Sequence, residues 1–247
     1  MIRVLFLSFL LVLLFAPASG FFPETEDIES KIHDNLGRVS SLQAEFLFAN
    51  DGELVWRVWQ KGRQWRSEWV DKEKNRVLCA SVGRGSEVLG AFPAGTETGP
   101  PPSWVLLQGV SRLKGRGLDP EKKEYAFLGD RPCIVLGGYD SGDKGLRLWV
   151  DNEEMLPLRV DFGPDMHLQW RDFSRTGNFP LPRTMSVQAD DGSSLDIEIN
   201  WTGVNVSLPQ ELFSVPEFKD KFRDRRKRRL PDTVRFCNRF FSGFLGP

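Results

Sequence analysis

The sequence predicts a mainly β (α+β) protein, with about ten or eleven antiparallel strands, an amphipathic helix ahead of them and a helical insertion midway. Three observations predict it. Between Gly145 and Phe173 apolar residues recur at every second position in three successive runs: Leu146, Leu148 and Val150, then Leu156, Leu158, Val160 and Phe162, then Met166, Leu168 and Trp170. The linkers at 151–155 and 163–165 carry the acidic, Gly and Pro residues that tight reversals need. Within residues 21–216, two stretches break this period of two in favour of helical spacing.

The first twenty residues have the form of a secretory signal. Arg3 precedes an apolar run, Val4 to Phe15, broken at Ser8, and Ala18-Ser19-Gly20 supplies small residues for cleavage. The run is short for a membrane span, so the expectation is a soluble, exported protein. The first helix is expected over 23–39, where Ile28, Ile32, Leu36 and Val39 share a face, Glu24, Glu26 and Asp27 crowd the start and Gly37 lies near the end. Strands follow at 42–48 and 54–60 around the reversal Asn50-Asp51-Gly52, then at 65–69, 76–82 and 87–92.

Residues 93–102 are a Gly/Pro/Thr loop that cannot form a central strand, and Ser103 is a candidate N-cap for a second helix ending at Lys114. Leu106, Val110 and Leu113 recur at helical spacing within it, and Gly115 and Gly117 stop it. A helix inserted in a sheet either covers an opening or completes the core. Strands resume at 125–128 and 133–136. The loop 137–145, with Asp140 and Asp143, lacks the ligand spacing of a calcium loop and reads as a turn. After the three central runs come strands at 184–189 and 195–201, a segment at 205–208, and the closing Leu212-Phe-Ser-Val-Pro216.

Composition narrows the function classes. Hydrophobic residues make up 40% and charged residues 27%, an ordinary globular balance, yet eight Trp and nineteen Phe stand beside two Tyr. Core packing explains part of that excess, and an apolar cavity would explain the rest. Cys79, Cys133 and Cys237 are too few for a disulfide framework; one bridge is permitted, and the sequence does not say which. The two histidines, His33 and His167, sit inside repeating patterns, and Asp190-Asp191 reads as a hairpin turn. No nucleophile set, metal spacing or phosphate loop stands out, so neither an enzyme nor a cofactor nor a metal is expected.

Residues 217–247 differ in kind, with ten Lys or Arg against four acids, while residues 21–216 carry a net −8. The run around Arg225, Arg226, Lys227, Arg228 and Arg229 precedes a short helical pattern that carries Phe240, Phe241 and Phe244. Such an end suits an anionic membrane surface or a partner protein, or docks its rings back on the acidic body. Nucleic acid is not expected for an exported chain. The organisation is thus a signal at 1–20, a β-rich body at 21–216 and a basic amphipathic tail at 217–247.

The order of these elements resembles the periplasmic outer-membrane lipoprotein carrier family, the LolA-like lipoprotein-sorting proteins. The residues that carry the resemblance are Val39-Ser-Ser-Leu-Gln-Ala-Glu-Phe46 after the first helix, Leu148-Trp-Val-Asp151, Leu156-Pro-Leu-Arg-Val160 and Leu212-Phe-Ser-Val-Pro216. It implies an incomplete antiparallel β-barrel whose apolar cavity, under a helical lid, takes up the acyl chains of a lipoprotein or lipid. It also implies an inner-membrane donor, an outer-membrane acceptor and a monomeric carrier; sensor proteins of envelope regulatory complexes share the scaffold. Where the family has an Arg-Pro pair tied to lid control and release, this chain has Lys61-Gly62. The expected lining is the ring-rich apolar parity: Phe46, Phe48, Trp56, Val58, Leu148, Val150, Leu158, Val160, Leu168, Trp170, Ile197 and Ile199, with Trp104 and Leu107 on the lid.

Overall fold

In the computed structural model, twelve antiparallel strands form one sheet that does not close. The structure describes residues 22–49, 51–96, 98–139, 145–223 and 229–245. The expected signal at 1–20, Asp140, Asp143 and the basic residues Arg225, Arg226, Lys227 and Arg228 therefore lie outside the described residues. Helix α1 (Thr25–Leu36) leads into strands β1 (Ser41–Phe48), β2 (Asp51–Lys61), β3 (Gln64–Asp71), β4 (Arg76–Arg84) and β5 (Glu87–Phe92). Helix α2 (Pro102–Lys114) interrupts the strands. After it come β6 (Lys123–Leu128), β7 (Arg131–Gly137), β8 (Arg147–Asp151), β9 (Pro157–Asp161), β10 (His167–Thr176), β11 (Phe179–Gln188) and β12 (Ser194–Val204). A 3-10 turn (Gln210–Phe213) and helices α3 (Val215–Phe222) and α4 (Asp232–Leu245) end the described chain.

The strand order is β5-β4-β3-β2-β1-β12-β11-β10-β9-β8-β7-β6. Each strand pairs with its sequence neighbour except across the insertion: β1 zips onto β12, from Leu42 opposite Val204 to Phe48 opposite Ile197, and β5 and β6 become the two free edges. Asn205 fixes that seam, because its side chain accepts from the Ser40 N–H at 2.7 Å and donates to the Arg38 carbonyl at 3.0 Å. Register shifts at Gln43/Ala44, Leu47/Phe48, Trp69/Val70, Val82/Gly83 and Trp149/Val150 add the local twist that curls an open sheet into a bowl. Gly137 permits a close crossing, since a Cβ there would lie 2.1 Å from the Leu146 carbonyl oxygen.

The two faces are chemically distinct. The inner face and the helices over it form one apolar cluster that includes Phe46, Trp56, Val150, Val160, Trp170 and Ile197. On the outer face, Trp149 lies between the guanidinium groups of Arg147 and Arg159, at 5.2 and 5.5 Å, and donates to Asp161 at 2.7 Å. Helix α3 also docks outside: Phe218 and Phe222 pack on Ala80, Val82 and Phe92. Beneath them Arg66, 3% exposed, bonds to Glu68 and to the Leu212 carbonyl, and Lys221 reaches Glu68 at 2.8 Å. Helix α4 lies on the opposite, inner face, so the expected boundary between body and tail falls inside α3 and the last two helices grip the sheet from both sides.

Two expectations change here. Helix α2 begins at Pro102 without a side-chain cap, because proline at the first turn already holds a helical φ; the Ser103 hydroxyl instead donates to Gln60 at 3.4 Å. Leu158 does not join the inner face. The register shift beside it leaves Trp149 opposite Arg159 and Val150 opposite Pro157, so Leu158 turns outward to pack with Leu156, Cys133 and Trp149.

Truncating Phe218 to Ala should cost about 3 to 5 kcal/mol of unfolding free energy in urea titrations, because it empties the anchor of α3. The same change at Phe127, 71% exposed, should fall within about 0.5 kcal/mol of the parent.

Candidate functional site

The inner face of the bowl is a continuous aromatic and aliphatic floor. Trp56 and Trp69 face each other across β2 and β3, with ring centroids 4.8 Å apart and planes 7° from parallel. Phe46 and Phe48 extend this stack at 5.4 and 5.2 Å. Val58, Leu148, Val150, Val160, Leu168, Trp170, Ile197 and Ile199 belong to the same cluster, and all are buried.

Three helices cover the floor. Helix α1 contributes Ile28, Ile32 and Leu36, and α2 contributes Val105, Leu106, Val110 and Leu113. The expected lid residue Leu107 is partly buried against the cluster; the Trp104 side chain lies outside the described residues. Helical spacing predicts an unbroken α2, but Gly109 sits at φ 68°, ψ 173° and divides it. A residue with a Cβ would be strained in that conformation, so glycine is what permits a cover of two short pieces. The cover is rooted through Thr98, whose hydroxyl lies 3.0 Å from that of Ser67 and whose N–H donates to Ser81 at 3.1 Å. Between α1 and α2 runs a groove of about 370 Å³ lined in part by Ile32, Leu36, Leu106, Leu107 and Val110, with Glu29 and His33 at its rim.

Helix α4 packs against the same floor. Val234, Cys237, Phe240 and Phe241 are 0 to 4% exposed, and the Phe241 ring stands 5.4 Å from Trp56. Phe240 and Phe241, expected at a membrane or a partner, thus face the sheet, because an amphipathic stripe of this width finds its largest unfilled apolar surface inside the chain. The polar ties of α4 include Arg239 to Asp191 at 3.1 Å, Thr233 to Asp51 at 3.4 Å, and a side-chain hydrogen bond between Asn238 and Cys79. Arg229 is exposed, and the Phe244 side chain lies outside the described residues. Lys61, at the rim of β2, donates to the Leu208 carbonyl at 3.4 Å, while its neighbour Gln60 accepts from α2.

Two features escape a reading by residue type. Trp69 follows the same parity as Trp65 and Ser67 but was not expected in the lining; the signal was its place on a strand adjacent to Trp56. Neither the Trp56 nor the Trp69 Nε1–H has an acceptor among the described residues. The three cysteines are unpaired and buried. Burial pushes the Cys79 thiol up to about 12 and also raises those of Cys133 and Cys237, which keeps all three as inert neutral thiols rather than nucleophiles.

No family model matches the chain, and no curated protein matches it either. Among solved structures, a LolA superfamily protein from Nitrosomonas europaea aligns with a TM-score of 0.52 at 14% identity, over 79% of this chain and 99% of that one. The fold is LolA-like. A putative outer membrane lipoprotein-sorting protein domain from Vibrio parahaemolyticus aligns with a TM-score of 0.47 at 13% identity, over 79% of this chain and 100% of that one. Within the LolA-like fold of this chain, the open side of the barrel is the gap between β5 and β6, the two strands whose connection carries α2.

The neutral Cys79 thiol stabilises the fold fully below its ordinary value of 9.0, and that contribution is lost as pH rises from there towards about 12. The urea midpoint should therefore decline over this interval, and a Cys79→Ala, Cys237→Ala double variant should show a shallower decline than the parent.

Proposed function

We propose that this protein is a non-enzymatic, exported carrier that binds the acyl chains of lipoproteins or lipids in the bowl and moves them across the periplasm, from an inner-membrane donor towards an outer-membrane acceptor. The observation that supports the reading best is the cover: among the described residues the apolar floor meets three helices and no second sheet, so it can be uncovered without breaking a strand pairing. The expected lining residues, Leu158 excepted, are the binding surface in this reading, with Leu107 at the groove through which a chain enters.

The energetics favour exchange over simple filling. One acyl chain offers on the order of 10 kcal/mol of burial at about 0.8 kcal/mol per methylene. Docking Val234, Phe240 and Phe241 is worth roughly 5 to 9 kcal/mol on the same scale. The two are close, so cargo replaces α4 at little net cost, and the helix holds the bowl closed to water when no cargo is present. The released helix would present Phe240 and Phe241 beside the basic run ending at Arg229, a composition suited to an anionic bilayer.

Organic extraction of the purified protein followed by mass spectrometry should recover lipid, and an environment-sensitive dansylated fatty acid should be taken up by the full chain. The Phe240→Ala, Phe241→Ala double variant should take up that probe about tenfold more tightly, because a larger fraction of molecules is open. Absence of lipid together with absence of uptake by parent and variant alike would sink the reading.

A further inference from the structure

The paired indoles at the centre of the floor are unusual in their polar ends. Three other indoles are satisfied: Trp65 donates to the Gly85 carbonyl at 2.9 Å, Trp149 to Asp161 at 2.7 Å and Trp201 to the Pro182 carbonyl at 2.7 Å. Trp56 and Trp69 are 1% and 0% exposed, and neither Nε1–H meets an acceptor among the described residues. Indole nitrogen is a donor only, and a buried donor without an acceptor is destabilising. The two rings lie on adjacent strands with centres 4.8 Å apart, a patch in which an incoming oxygen would find an unsatisfied donor.

Helix α4 lies over this patch. Phe241 covers the Trp56 ring, and Asn238 bonds to Cys79, the residue opposite Trp69 on β4. Departure of α4 would therefore uncover both indoles together. The groups around them, Phe46, Phe48, Cys79, Asn238 and Phe241, are uncharged. A carboxylate brought here would lose its hydration without gaining a cation, whereas a neutral carbonyl loses little.

We propose that Trp56 and Trp69 form a polar subsite that receives the carbonyl oxygen of a neutral acyl ester, while the alkyl tail lies along the apolar floor. The inference rests on the carrier reading and adds the chemical class of the cargo's head: ester rather than free acid or plain hydrocarbon. It also gives the two indoles a specificity role that apolar packing would not require.

Methyl laurate labelled at its carbonyl carbon, lauric acid and dodecane serve as the probes, each titrated into the full chain and into the Trp56→Phe and Trp69→Phe variants. Methyl laurate should bind more tightly than ionised lauric acid, and each variant should weaken methyl laurate about fivefold more than it weakens dodecane. In the unaltered protein the labelled carbonyl band should lie at lower frequency than in hexane, a readout that does not depend on a variant's folding. A carbonyl band that coincides with that in hexane, or equal losses for methyl laurate and dodecane in the variants, would overturn the subsite while leaving dodecane uptake, and the carrier reading, intact. Failure of the unaltered protein to bind either methyl laurate or dodecane would overturn both.

Discussion

The pairing of β1 with β12 is the constraint from which the rest of the architecture follows. A meander of twelve strands has two ends, and joining its first and last strands moves the opening elsewhere along the sequence. Here it falls between β5 and β6, the one junction where the chain leaves the sheet to build α2. The opening and its cover are therefore the same piece of sequence, and the seam at Ser41 to Phe48 carries the curvature that makes the inner face concave. Without that seam the same strands would give a flat ribbon whose apolar side no single helix could shield.

The inner face then sets a second constraint, on what may lie over it. A floor built from stacked indoles and aliphatic side chains is too wide to be left wet, and three helices from separate parts of the chain converge on it. They are held differently. Helix α1 is tied by Asn35 to the Glu154 carbonyl and by Glu29 to Lys114 of α2, whereas α4 relies chiefly on its buried rings. Most of the adhesion of α4 is thus nondirectional and can be exchanged for another apolar body of similar area.

Much of this was legible in the sequence, because alternation of apolar and polar residues reports directly on a sheet with one greasy and one wetted side. Phe46, Trp56, Leu148, Val160, Leu168, Trp170 and Ile199 face inward as their parity requires. Leu158 does not, since the irregularity opposite Trp149 and Val150 adds one residue to a strand and reverses the parity after it, something no count along β9 alone could reveal. The break at Gly109 was hidden for the opposite reason: Leu106, Val110 and Leu113 keep helical spacing on either side of it. The destination of α4 lay beyond local pattern altogether. A stripe of Val234, Cys237, Phe240 and Phe241 announces that a helix wants an apolar surface, and the tertiary arrangement decides whose.

The placement of α2 in the connection between β5 and β6 has a consequence for how such a chain can change. Every strand pairing of the bowl lies outside residues 93–121, so insertions, deletions or replacements there alter the size and stiffness of the roof while the walls keep their register. Change in the roof is therefore separable from the demand on the walls, which is only that alternate residues stay oily.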